Sequence, residues 1–298
     1  MKKNFVYIVL LLTSITFGQN AEKSGMTFLK IGFGARNIAM GDLGVVTADN
    51  STAGFYNPAL LTKDSYDVSF THTNLMEDVS SEMIGVTFTA FGLPFAIGLN
   101  TTSVSDIEVR TKPGEVEATF DANYFYGSLS TALEITDDFS AGVTIKYLYE
   151  NLFSDEATGL GADFGIYYKG LMSDLDLGAS INNVGSMNQL RSEETTLPSS
   201  FNVGASYILL GNGSKIESTI AAGYKRFLEA ETSHVQVGGE FSYDRIIALR
   251  VGYVSGFESK DLSYGIGLKW GSFGFDYTFI PVEYGLGNSN FITITYSF

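Results

Sequence analysis

The sequence predicts an all-β fold, a transmembrane antiparallel β-barrel of about 14 strands, and three observations carry that prediction. From Asp67 onward apolar residues recur at every second position, the period of a strand with two chemically different faces. The alternate positions hold Gly, Ser, Thr and isolated charges, which suits a lumen behind a lipid-facing wall. The composition, with 33 Gly, 23 Phe, 17 Tyr, only 5 Pro and 17% charged residues, favours strands over helices. A soluble sandwich also alternates, but its apolar face turns inward, and its strands have no reason to match the roughly ten residues of a tilted bilayer crossing.

At the N-terminus Lys2 and Lys3 precede an uncharged apolar run from Phe5 to Leu12 that continues through Ile15 and Phe17 to Gly18. Residues 1–18 therefore read as a secretory signal peptide with a cut before Gln19. A run of about 13 residues is too short for a membrane helix, which needs roughly 20. Formal charge is −15, or −17 without Lys2 and Lys3, so no nucleic-acid partner is expected. The chain has no Cys, hence no disulfide framework.

Residues 67–298 form the expected barrel, with strands near 67–76, 81–91, 95–104, 123–134, 139–150, 159–168, 174–184, 198–209, 215–226, 233–242, 246–255, 262–270, 273–280 and 290–298. The alternation is cleanest in Leu262, Tyr264, Ile266, Leu268 and Trp270 against Ser263, Gly265, Gly267 and Lys269. Connections alternate in length. Those reading GLP, TDD, KGLMS, GNGS, YDR and GS are short, whereas 105–122, 151–158, 185–197, 256–261 and 281–289 are longer. Outer-membrane barrels place short turns in the periplasm and long loops outside.

Glu240, Arg250, Lys269 and Asp276 each fall in the polar phase of their strands, so all four are expected in the lumen, with Glu240 beside Arg250 and Lys269 beside Asp276. The chain ends on Ile294, Tyr296 and Phe298, still alternating with Thr and Ser. A closing strand must keep its pattern to the end, because closure removes both edges and lipid tolerates no unpaired backbone. The aromatic end also resembles the C-terminal signal that outer-membrane assembly machinery recognises in bacterial barrels.

Residues 19–66 do not alternate and contain FLKIGFGARNIAMGDLGVVTADNSTAGFYNPALL. Gly32, Gly34 and Gly41 permit close backbone approach or positive φ, Asp42 and Asn50 are expected to cap local turns, and Asn57-Pro58 fixes an extended or turn step. The set Gly34, Ala35, Arg36, Met40, Gly41, Asp42, Asp49, Asn57, Pro58 and Ala59 resembles the N-terminal region of the PorV/PorQ family of Bacteroidota, relatives of the FadL-like fatty-acid transporters. The resemblance implies that 19–66 is a hatch inside the barrel, and that the protein serves type IX secretion by binding secretion-system proteins or cargo. A FadL-like channel for a hydrophobic ligand is the alternative. Lipid, the barrel assembly machinery and the Gram-negative outer membrane follow as surroundings.

Chemistry is otherwise sparse, and no enzyme activity and no cofactor are expected. The two histidines, His72 and His234, lie on separate predicted strands, so a histidine-rich metal site is not expected. No Gly-x-Ser-x-Gly elbow occurs. Gly32-Phe33-Gly34 lacks the strand, turn and helix of a nucleotide loop. Asp137-Asp138 and Asp155-Glu156 read as solvated turn charges.

Overall fold

The computed structural model describes residues 25–62, 66–75, 79–172, 174–190, 193–211, 215–257, 261–283 and 287–298, so residues 1–18, expected as a signal peptide, and the expected cut before Gln19 lie outside the described residues. Among them fourteen strands close into one antiparallel barrel. In chain order these are β1 (Asp67–Asn74), β2 (Val79–Ala90), β3 (Leu93–Val109), β4 (Ala118–Glu134), β5 (Phe139–Leu152), β6 (Asp155–Tyr168), β7 (Leu175–Met187), β8 (Ser200–Leu210), β9 (Ile216–Phe227), β10 (Ser233–Tyr243), β11 (Ile247–Val254), β12 (Leu262–Trp270), β13 (Phe273–Pro281) and β14 (Asn288–Ser297). Each pairs with its neighbours in sequence, and β1 closes on β14 from Asp67 opposite Ser297 to Asn74 opposite Asn290. The last strand therefore has no free edge, as a chain in lipid requires.

The outward phase is predominantly apolar. Leu262, Tyr264, Ile266 and Leu268 on β12, and Leu249, Val251 and Tyr253 on β11, are all exposed, the arrangement that burial in lipid rewards and water penalises. Phe91 is 98% exposed, Trp270 87% and Phe298 82%, all at the end that carries the short turns 91–92 and 271–272 and the final residue. By the loop rule this end faces the periplasm, and the three rings fit an interfacial aromatic belt.

Two connections differ from the sequence expectation. The stretch 105–122 is mostly ladder, since β3 runs to Val109 and β4 begins at Ala118, leaving 110–117 as the tip. Likewise 151–158 contracts to the turn 153–154. Above the bilayer both faces of these arms meet solvent, so backbone pairing continues while the two-face hydrophobic pattern that reveals strands disappears. The 185–197 connection contains a small ladder, Gln189–Leu190 with Glu193–Glu194, and returns Leu197 to the core at 2% exposure.

The lumen is filled by the N-terminal segment: a 3-10 turn (Thr27–Lys30), helices α1 (Ala35–Ala39), α2 (Gly44–Thr47) and α3 (Asn50–Tyr56), and a second 3-10 turn (Pro58–Leu60). The helices are short, and their stability comes from packing against the wall rather than from propensity. Glycines of the inward phase explain the fit. A Cβ on Gly238 would lie 2.2 Å from the Met40 carbonyl oxygen, and one on Gly252 would lie 2.1 Å from the Gly41 nitrogen. Hatch backbone rests directly on wall backbone, a contact that only glycine allows.

Candidate functional site

The hatch begins its descent at Gly34, whose φ of 77° suits glycine. The next residue, Ala35, is fully buried and clamped on both sides: its N–H donates to Thr293 Oγ1 at 2.9 Å, and Thr278 Oγ1 donates to its carbonyl at 2.5 Å. That double clamp aims Arg36 across the lumen. Its Nε and Nη2 donate to the two carboxylate oxygens of Glu240 at 2.9 and 3.0 Å, while Nη1 reaches the Thr47 carbonyl at 2.8 Å and Asp49 at 3.0 Å. The fork geometry of a guanidinium matches a carboxylate in this two-point manner. Burial opposes the charge of Arg36, but Asp49 and Glu240 outweigh it and hold its pKa above the ordinary value.

Glu240 is shared. Arg250 Nε donates to it at 2.5 Å, and Arg250 Nη1 donates to Asp276 at 2.6 Å. The expected pair of Glu240 with Arg250 is present, whereas Asp276 is held by Arg250 rather than by Lys269. Register explains the exchange: Asp276 stands opposite Gly267, whose missing side chain admits Arg250, while Lys269 stands opposite Gly274 nearer the mouth. Lys269 does share the lumen phase, but it is exposed and has no carboxylate partner among the described residues.

A second anchor is built on Gly41 and Asp42, which adopt φ of 75° and 59° in succession. Asp42 caps no turn. Its carboxylate pairs with Lys225 and accepts a bond from the Tyr56 hydroxyl at 2.6 Å, and its carbonyl accepts from Gln236 at 2.8 Å. Tyr56 in turn accepts from the Phe33 N–H at 2.8 Å. Burial first, and Asp42 second, push the Tyr56 hydroxyl well above the usual tyrosine range, so it remains a donor. Met40 beside it is fully buried.

Asn57 is the third anchor. Its amide donates to the Val45 carbonyl at 2.9 Å and the Ile166 carbonyl at 3.0 Å, and its oxygen accepts from the Ala59 N–H at 3.1 Å. Pro58 opens the following turn, and the Ala59 carbonyl accepts from Ser140 on the wall at 2.6 Å. The described side chains of the resemblance motif thus face the wall or each other, except Asp49, whose side chain is 56% exposed at the periplasmic mouth.

The two ends of the lumen differ. Toward the outside, Phe33 packs on Phe55 with ring centres 4.8 Å apart, and Tyr126 meets both at 5.9 and 5.5 Å. Beneath them lies an ion pair that the sequence did not suggest, Lys146 to Asp163 at 2.7 Å, with side chains 5% and 0% exposed. Two small cavities of about 40 and 80 Å³ remain on this side. At the periplasmic end a cavity of about 340 Å³ opens, floored by Arg36, Glu240, Arg250 and Asp276. Sequence reasoning also missed Lys225, although it stands in the inward phase of β9.

Ile294 faces outward and is 47% exposed, and Tyr296 contacts Phe273 and Phe298 at 4.8 and 4.9 Å between ring centres, at the periplasmic rim. The histidines stay apart: His72 contacts Glu82 on the outer face, and His234 stacks with Phe257.

The family model of the type IX secretion system protein PorV matches residues 16–222, which include the hatch, strands β1 to β8 and the first half of β9. The chain belongs to the PorV family. Among solved structures, this PorV-family barrel is similar to the toluene transporter TodX of Pseudomonas putida, with a TM-score of 0.61, 12% identity, and 93% of this chain and 99% of that one covered. It is also similar to the monoaromatic hydrocarbon channel CymD, with a TM-score of 0.59, 12% identity, and 90% and 98% covered. At that identity the likeness concerns the fold. No curated protein matches the chain. Family and fold are those of outer-membrane barrels and channels.

Proposed function

We propose that this PorV-family barrel is a non-enzymatic outer-membrane component of type IX secretion that binds secretion partners or cargo at its outer face while its lumen stays closed. The observation that carries this reading is the pinned hatch: Arg36, Asp42 and Asn57 each tie it to the wall by side-chain bonds. A closed lumen leaves the rim and loops as the surfaces that can act on other molecules. The outer hairpin of β3 and β4, its tip 110–117 included, carries Asp106, Glu108, Glu115, Glu117 and Asp121 against Arg110 and Lys112, which favours a partner surface with basic character.

On this reading residues 1–18 are removed, the barrel sits in outer-membrane lipid, and Ile294, Tyr296 and Phe298 serve its assembly machinery. The test is to shorten 110–117, which lies beyond the ladder, and to recover the barrel with its partners from outer membranes. Loss of secretion-component recovery with the heat-modifiable barrel intact supports the reading. Unchanged recovery overturns the assignment to this hairpin.

A second reading is a channel for hydrophobic small molecules, favoured by the fold shared with TodX and CymD. It requires the hatch to move, since the outer cavities of about 40 and 80 Å³ fall well below the roughly 300 Å³ at which drug-sized ligand sites begin. Uptake of a labelled aromatic hydrocarbon into liposomes carrying the purified barrel, lost on tightening the hatch, would favour it.

A further inference from the structure

The periplasmic cavity of about 340 Å³ lies within the size range of small-ligand sites. Its floor is already satisfied, because every carboxylate there has a cation: Asp49 and Glu240 have Arg36, Glu240 and Asp276 have Arg250, and Glu217 has Arg245. These pairs fix the floor and leave no acidic group seeking a ligand. Lys269 is the exception among the cations that line the cavity, exposed at its side and paired with no carboxylate among the described residues. Across the ladder it stands opposite Gly274, where a Cβ would find nothing closer than 3.6 Å, so the wall beside Lys269 leaves open space on the lumen side. Ser242, Ser272 and Thr295 line the same cavity and offer hydroxyl donors.

We propose that this vestibule is a binding site for a carboxylate group arriving from the periplasm. Lys269 supplies the opposite charge, and hydroxyls of Ser242, Ser272 and Thr295 supply hydrogen bonds to the carboxylate oxygens. An ammonium is a mobile point donor rather than a fixed fork, so it suits a carboxylate carried on varied frames. The carboxylate can belong to a free organic acid or to a segment of a periplasmic protein. Neither source depends on what the outer hairpins hold.

The test reads the reactivity of the Lys269 amine in the purified full-length barrel. Acetylation at each lysine is followed by mass spectrometry with succinate, with neutral succinamide, and with sodium chloride at matched ionic strength. Bound succinate should slow acetylation of Lys269 about threefold at a concentration twice its Kd, by mass action, and leave Lys112 and Lys169 unchanged. Succinamide and chloride should have no such effect, since chloride only screens. In a K269R variant succinate should still bind, and in K269Q it should not, as judged by the line broadening of succinate in proton NMR; heat-modifiable migration verifies that both variants are folded. Isolated outer membranes treated with a carbodiimide then separate the sources. An amide joining Lys269 to another polypeptide identifies a protein carboxylate, and protection without such a link identifies a free acid. Equal acetylation with succinate and with chloride, and no coupled polypeptide, overturns the proposal.

Discussion

Two ion pairs, one toward each end of the lumen, use the same kinds of charge in different solvent. Outside the hatch, Lys146 and Asp163 are 5% and 0% exposed beneath a layer of aromatic rings. On the periplasmic side, Arg36 and Asp49 are 26% and 56% exposed beside an open cavity. A dry pair is costly to break, because the survivor is an uncompensated buried charge, whereas a wet pair is rescued by water. The Lys146–Asp163 pair therefore resists opening more than the Arg36–Asp49 pair, whose charges already meet water.

The largest expected effect comes from breaking the dry pair. Lys146→Met should destabilise the barrel by about 3–5 kcal/mol and reduce its heat-modifiable form, while adding Asp163→Asn, which removes the charge but keeps an oxygen to accept from the Asn183 N–H, should recover part of the loss. Failure of the single variant to weaken the barrel would remove the distinction between the two pairs. Next is Gly238→Val, which drives a side chain into the Met40 backbone. It should cost about 1–3 kcal/mol by overpacking and displace the hatch, seen as raised conductance of the barrel in planar bilayers.

Arg36→Gln, on the wet side, should cost on the order of 1–2 kcal/mol after discounting for solvent. Hydrogen exchange should speed up in 35–60, with the β4–β6 ladders unchanged. Phe298→Asp should lower the assembled fraction more than Thr295→Asp, measured by the boiled and unboiled bands, because Phe298 is at the outward rim and Thr295 faces the cavity. The smallest change is Arg245→Gln. Arg245 is 79% exposed in its pair with Glu217, so stability should move by less than about 0.5 kcal/mol.

Much of the barrel was legible in the sequence, and the reason is local. Side chains of a strand alternate between faces by backbone geometry, so Leu262 to Trp270 declare their outward face without knowledge of any partner. Where the face difference vanishes, as in 105–109, the strand becomes invisible to that pattern although its ladder persists. The hatch motif was legible as a set of residues, but its bonds were not. Asp42 reads as a turn cap in sequence and is instead the partner of Lys225, 183 positions away.

The all-β class, the fourteen crossings, the outward faces and the inward phase of Glu240, Arg250, Lys269 and Asp276 can be read from the alternation alone, because the backbone fixes its period. That Arg36 joins Glu240, that Asp276 pairs with Arg250, and that Lys269 lines the open cavity emerge from the folded contacts and have no local signal. Those choices depend on the stagger between neighbouring strands and on where the hatch backbone comes to rest against Gly238 and Gly252, and both are set only when the barrel closes.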